Sequence, residues 1–98
     1  MKAVCYVEWT EIEFGWGDRP DGISFHENVD AANNYIRICH AKNNQYFTSI
    51  AGKIQFLSLE GLVYDAAVKN IKNGNGTFYS YKNNLEEALK ELTQTIER

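Results

Sequence analysis

Between residues 3 and 14 the side chains alternate with a period of two. Ala3, Cys5, Val7 and Trp9 fall on one face, and Val4, Tyr6, Glu8, Thr10, Ile12 and Phe14 on the other. Aromatic and β-branched enrichment makes this a strand rather than a helix. Glu8, Glu11 and Glu13 crowd its second half, which suits a sheet edge or a twisted, partly solvated end. Residues 15–22, Gly-Trp-Gly-Asp-Arg-Pro-Asp-Gly, read as a loop, and Ile23-Ser24-Phe25-His26 as a short alternating strand leaving it.

The period then changes. Val29, Ala32, Ile36 and Cys39 recur at helical spacing over 29–42, with Asn28 placed to cap the start and Asn43-Asn44 to end the helix. Tyr46–Ile50 and Lys53–Leu59 are two strands expected to form a hairpin around Ala51-Gly52. Residues 60–72 predict a second helix with Leu62, Ala66 or Ala67, and Ile71 turned inward. Asn73-Gly74-Asn75-Gly76 is a turn of residues that accept positive φ, and Thr77–Tyr81 a last strand. The final helix runs over 84–97, capped by Asn83 with Glu86 or Asn84 with Glu87. Its apolar stripe is Leu85, Ala88, Leu89, Leu92 and Ile96. The order ββαββαβα specifies one α+β domain, with three helices and a mixed or antiparallel sheet of about five strands.

Composition narrows the partners. Ninety-eight residues with 44% apolar side chains describe one soluble domain, and the apolar runs are too short to span a bilayer. Met1-Lys2-Ala3-Val4 soon gives way to Glu8, unlike a secretory signal, so the expected location is the cytoplasm. Ten Lys and Arg stand against thirteen Asp and Glu, a net charge of −3, with the lysines scattered. A duplex nucleic acid or an anionic membrane needs a basic stripe, and neither is expected as a partner. Cys5 and Cys39 lack metal-ligand and redox spacing and read as buried, reduced thiols; no metal or cofactor is expected.

The chemistry concentrates in residues 15–22. Two glycines free the backbone around Trp16, and Arg19-Pro20-Asp21-Gly22 fits a type I turn with Pro second and Gly fourth. Proline biases Arg19 toward an extended conformation, so the turn presents one Arg beside a Trp, between Asp18 and Asp21, with His26 on the outgoing strand. A purely structural role, Trp16 plugging the sheet end and Arg19 pairing with an Asp, explains these residues as well as a binding role does. In the binding role Trp16 stacks on a planar group, Arg19 clamps a phosphate or carboxylate, and Asp18, Asp21 or His26 reads sugar or base edges. His26 beside these acids also offers a general base, but no nucleophile elbow, metal cluster or phosphate loop accompanies it. A second candidate surface is the aromatic set Phe78, Tyr79, Tyr81, Tyr46, Phe47 and Phe56. Part of it is core, and part is an exposed patch suited to self-association into a homo-oligomer.

The run Glu8-Trp9 through Gly15-Trp16-Gly17-Asp18-Arg19-Pro20-Asp21-Gly22, with Ser24 and His26, resembles small uncharacterised accessory proteins of bacteriophages and prophages. The resemblance covers residues 4–40, and the remainder in element order. It implies a stoichiometric inhibitor of host defence, which either sequesters a nucleotide-like anionic ligand or blocks a host protein. In the second case the acids Glu8, Glu11, Glu13, Asp18, Asp21, Glu27, Glu86, Glu87 and Glu91 would imitate nucleic acid. A small enzyme using His26 is the third reading.

Overall fold

The protein is described here by a computed structural model covering residues 2–94. Strands β1 (Lys2–Glu13), β2 (Gly17–His26), β3 (Phe47–Ala51), β4 (Gln55–Leu59) and β5 (Phe78–Ser80) form one antiparallel sheet. Helices α1 (Val29–Ala41), α2 (Gly61–Asn73) and α3 (Leu85–Thr93) complete the expected ββαββαβα order. The final helix stops at Thr93; its expected last turn, including Ile96, lies outside the described residues.

β1 is the centre of the sheet and not an edge. β2 lies along one side of it, and β3 and β4 share the other, one beyond the other. This corrects the expected hairpin. Both β3 and β4 run antiparallel to β1, Trp9 facing Ala51 and Tyr6 facing Gln55. They are therefore one path interrupted by a one-residue bulge, with the Gly52 amide donating to the Glu8 carbonyl at 2.8 Å to bridge the break.

The alternation along β1 sorts two cores. Val4 and Tyr6 join Ile23, Phe25, Leu59, Ala67, Ile71, Ala88 and Leu92 beneath α2 and α3. Cys5, Val7 and Trp9 pack with Ala32 of α1 on the opposite face. Phe25, Ile71, Leu92, Val4 and Val7 are essentially solvent-free, each contributing about 1.5–3 kcal/mol by burial. Asn28 caps α1 by accepting from the Ala31 amide at 2.9 Å, and Asn84 caps α3 by accepting from the Glu87 amide at 3.2 Å. Two expected inward residues face out instead: Val29 at the first turn of α1, and Leu62, 85% exposed at the start of α2, where the buried stripe begins only at Ala67.

The expected aromatic patch is dispersed. Phe78 packs against the α2–α3 core, Tyr79 against the α1 core, and Tyr46 and Phe47 lie beside the β1–β2 turn, since the Phe14 amide donates to the Tyr46 carbonyl at 3.0 Å. Phe56 stands exposed on β4.

Candidate functional site

Most of the expected loop is strand. The only turn between β1 and β2 is Phe14-Gly15-Trp16, closed by the Trp16 amide donating to the Glu13 carbonyl at 3.0 Å, with Gly15 and Gly17 at φ near 85°. Trp16 sits at this tip, 85% exposed, and Phe14 beside it is 77% exposed. Asp18, Arg19 and Pro20 belong to β2, facing Ile12, Glu11 and Thr10. The type I turn is replaced by a bulge at Asp21, where the register slips between Trp9–Gly22 and Thr10–Pro20. Proline is tolerated because β5 flanks β2 only at residues 23–25, so no neighbour asks for its missing N–H.

Arg19 is already engaged. Its guanidinium donates to Glu11 at 3.1 Å and to Glu13 at 2.6 Å. These bonds hold the Glu11 carboxyl below its ordinary range and raise Arg19 further above neutrality. Two carboxylates therefore match the one cation of the segment, and Asp18 adds an exposed acid.

Asp21 points elsewhere. Its carboxylate accepts from the Tyr79 hydroxyl at 3.1 Å, and Tyr79 also reaches the Asp21 carbonyl at 3.3 Å. Loss of solvent is the main reason that the Asp21 carboxyl lies above its usual range; the neighbouring Glu11 pushes it the same way, while the Tyr79 bond pulls it down. Asp21 is also the one loop candidate that lines a pocket of about 270 Å³ between α1 and the sheet. Trp9 lies at its base, nearly fully buried, with Tyr35 from α1, Tyr79 from β5, and Tyr81 just after β5 as the other aromatic walls. Trp9 and Tyr35 meet edge to face at 5.8 Å, and Tyr79 and Tyr81 are 5.2 Å apart, inclined by 57°. Cys39 and Ser49 complete the lining. Burial drives the Tyr35 and Tyr79 hydroxyls far above their ordinary pKa, so both remain donors.

Gly22 makes this geometry possible. At φ 139° it lets β5 approach so closely that a Cβ would lie 2.4 Å from the Ser80 carbonyl oxygen and 2.9 Å from the Tyr79 ring.

His26 is not part of the pocket lining. It is wholly buried, and loss of solvent lowers its pKa to about 4. The Trp9 indole donates to Ser24 Oγ at 2.9 Å, leaving the Ser24 proton for His26 Nε2 at 2.8 Å; Nδ1 lies 3.2 Å from Thr77 Oγ1. A neutral imidazole with both nitrogens engaged is a core strut, and the geometry withdraws it from the ligand-reading role expected of it. Of the five expected residues the structure thus brings Asp21 to the pocket. It puts Arg19 in an ion-paired cluster on the β1–β2 hairpin, Trp16 at the tip, Asp18 on the exposed strand and His26 in the core.

The sequence predicts Tyr79 and Tyr81 as part of an aromatic surface, whereas Tyr35 and Trp9 are legible only beside core positions. Tyr35 adjoins the helical stripe of Ala32, Ile36 and Cys39, and Trp9 continues the strand face of Cys5 and Val7. Nothing in a one-dimensional pattern shows that α1 crosses the sheet at Trp9, with Tyr35 and His40 against the indole, and leaves a cleft beside it. Among the described residues no group of three or more His, Cys, Asp or Glu is arranged to hold a metal, and no helix is long and apolar enough to cross a membrane. No family model matches the chain, and neither does any of the curated proteins or solved structures compared with it.

Proposed function

We propose that the protein is a non-enzymatic binding module that takes a small, flat ligand in the pocket between α1 and the sheet. One observation carries the reading: three tyrosines and a tryptophan from three separate chain segments converge on one cleft, with the Asp21 carboxylate set among them. Aromatic walls with a few placed polar groups are the ordinary composition of a small-molecule site, and about 270 Å³, just under the usual range, suits a small ligand.

Sequestering of a nucleotide-like anion by residues 15–22 has less support. A phosphate approaching Arg19 must compete with Glu11 and Glu13, both already bonded to the guanidinium. A nucleobase in the pocket, its donor edge on Asp21, keeps the nucleotide reading alive without asking Arg19 to hold phosphate. The resemblance to bacteriophage proteins supplies the context, a stoichiometric inhibitor of host defence. Native mass spectrometry against a panel of nucleotides, free bases and amines tests the reading. It expects a one-to-one adduct that Tyr79→Ala abolishes, and an adduct that survives in that variant contradicts it.

A second reading follows from the hairpin tip. Phe14 and Trp16 are almost fully exposed, with Tyr46 and Phe47 close by and Glu13 and Asp18 at the rim. This suits docking onto a basic host protein, and the same aromatics are what a second copy would cover in a homo-oligomer. Replacing Phe14 and Trp16 together by Ser would then abolish inhibition while leaving the pocket's ligand bound.

A further inference from the structure

We infer that the ligand of the pocket carries a positive charge, an organic ammonium group held against the tyrosine faces with Asp21 as its counter-ion. The inference deepens the pocket reading above and rests on it.

Two independent features set the sign of the charge. The first is the wall. Trp9, Tyr35, Tyr79 and Tyr81 come from β1, α1, β5 and the residues just after it, and all four line the one cleft, with Tyr79 and Tyr81 5.2 Å apart and inclined by 57°. An aromatic face is the negative end of its quadrupole, and several faces around one cleft attract a cation. The second is the fixed charge. Asp21 is the only ionisable carboxylate in the lining, and no Lys, Arg or His lines it among the described residues. Glu11 on β1 adds its charge to that of Asp21, and Glu11 and Glu13 together outweigh Arg19, the cation bonded to both. An anionic group would meet carboxylates and the negative faces of aromatic rings together. The Tyr79 hydroxyl bonds one Asp21 oxygen and so fixes the carboxylate in the lining of the cleft, where it can serve as counter-ion to an ammonium.

The contrasting probes are choline and its uncharged tert-butyl isostere, in which carbon replaces nitrogen, with AMP as the anionic arm. Binding is read from the Trp9 indole N–H signal, which reports from the base of the pocket. Choline is expected to bind at least tenfold more tightly than the isostere. Asp21→Asn should erase that preference while keeping the isostere's affinity, and Tyr81→Ala, at an exposed rim position that leaves the fold intact, should weaken choline several-fold. Equal affinities for choline and isostere, or a Trp9 response to AMP alone, overturn the assignment of charge while leaving the pocket as a ligand site. A Trp9 signal unmoved by all three probes overturns both.

Discussion

The Tyr79 hydroxyl donates to the Asp21 carboxylate at 3.1 Å, joining the bulge of β2 to the last strand across 58 residues of sequence. The bond serves structure and chemistry together. It pins the one irregular residue of the hairpin, and it opposes the desolvation that pushes the Asp21 carboxyl upward. Tyr79→Phe is expected to cost about 1 kcal/mol, the usual net worth of one hydrogen bond. It should also raise the Asp21 pKa further. A carboxyl-carbon NMR titration of Asp21 checks this, and an unchanged or lowered pKa would contradict the arrangement.

Gly22 sets the approach of β5 to β2. An alanine there places its Cβ 2.4 Å from the Ser80 carbonyl oxygen, a backbone atom that cannot swing aside, at a φ of 139° that L residues rarely adopt. Gly22→Ala should destabilise the protein by more than about 2 kcal/mol and weaken pocket binding, because Tyr79 must shift as well. Urea unfolding measures the first effect and ligand titration of the folded variant the second.

His26 makes stability depend on acid. Its pKa falls from 6.5 to about 4 on folding, so between those values the unfolded chain binds more protons than the folded one. The contribution is complete above pH 6.5 and is lost as pH falls toward 4, with a slope of up to about 1.4 kcal/mol per pH unit. Below pH 4 His26 adds no further loss. Denaturant midpoints across pH 4 to 7 should show this dependence in the native protein and a much flatter one in His26→Gln.

Trp16 and Arg19 separate the hairpin tip from the pocket. Trp16 is exposed, so Trp16→Ala should change stability by no more than about 0.5 kcal/mol and leave the pocket's affinity unchanged. Arg19→Met removes the bonds that keep Glu11 ionised, so the Glu11 pKa should rise; NMR titration reads it directly. Lost ligand binding in Trp16→Ala would return the site to the tip.

The sequence made the elements legible wherever a period was long and its caps were strong. β1, α1 and α3, with the Asn28 and Asn84 caps, follow from alternation, stripe and side-chain chemistry. It misled at two places for a shared reason. Arg19-Pro20-Asp21-Gly22 and Ala51-Gly52 carry turn residues, and both became bulges. Pro, Gly and Asp serve a turn and a bulge equally well; pairing with a long β1 on both sides decides between them. The site was half legible for a similar reason. Asp21 was identifiable by its local chemistry and Tyr79 with Tyr81 as part of an aromatic set, whereas Tyr35 and Trp9 join them only when α1 lies across the sheet. His26 looked reactive because burial is invisible beside an exposed-looking loop.

The claim that the cleft beside Trp9 is a ligand site is tested most directly by fluorescence of the Trp16→Phe variant, in which Trp9 is the only tryptophan. Titration with small amines and nucleobases should change Trp9 emission saturably, and Tyr79→Ala added to that background should abolish the change. Emission that stays flat across the panel, or a saturable change that survives the loss of Tyr79, would contradict the account.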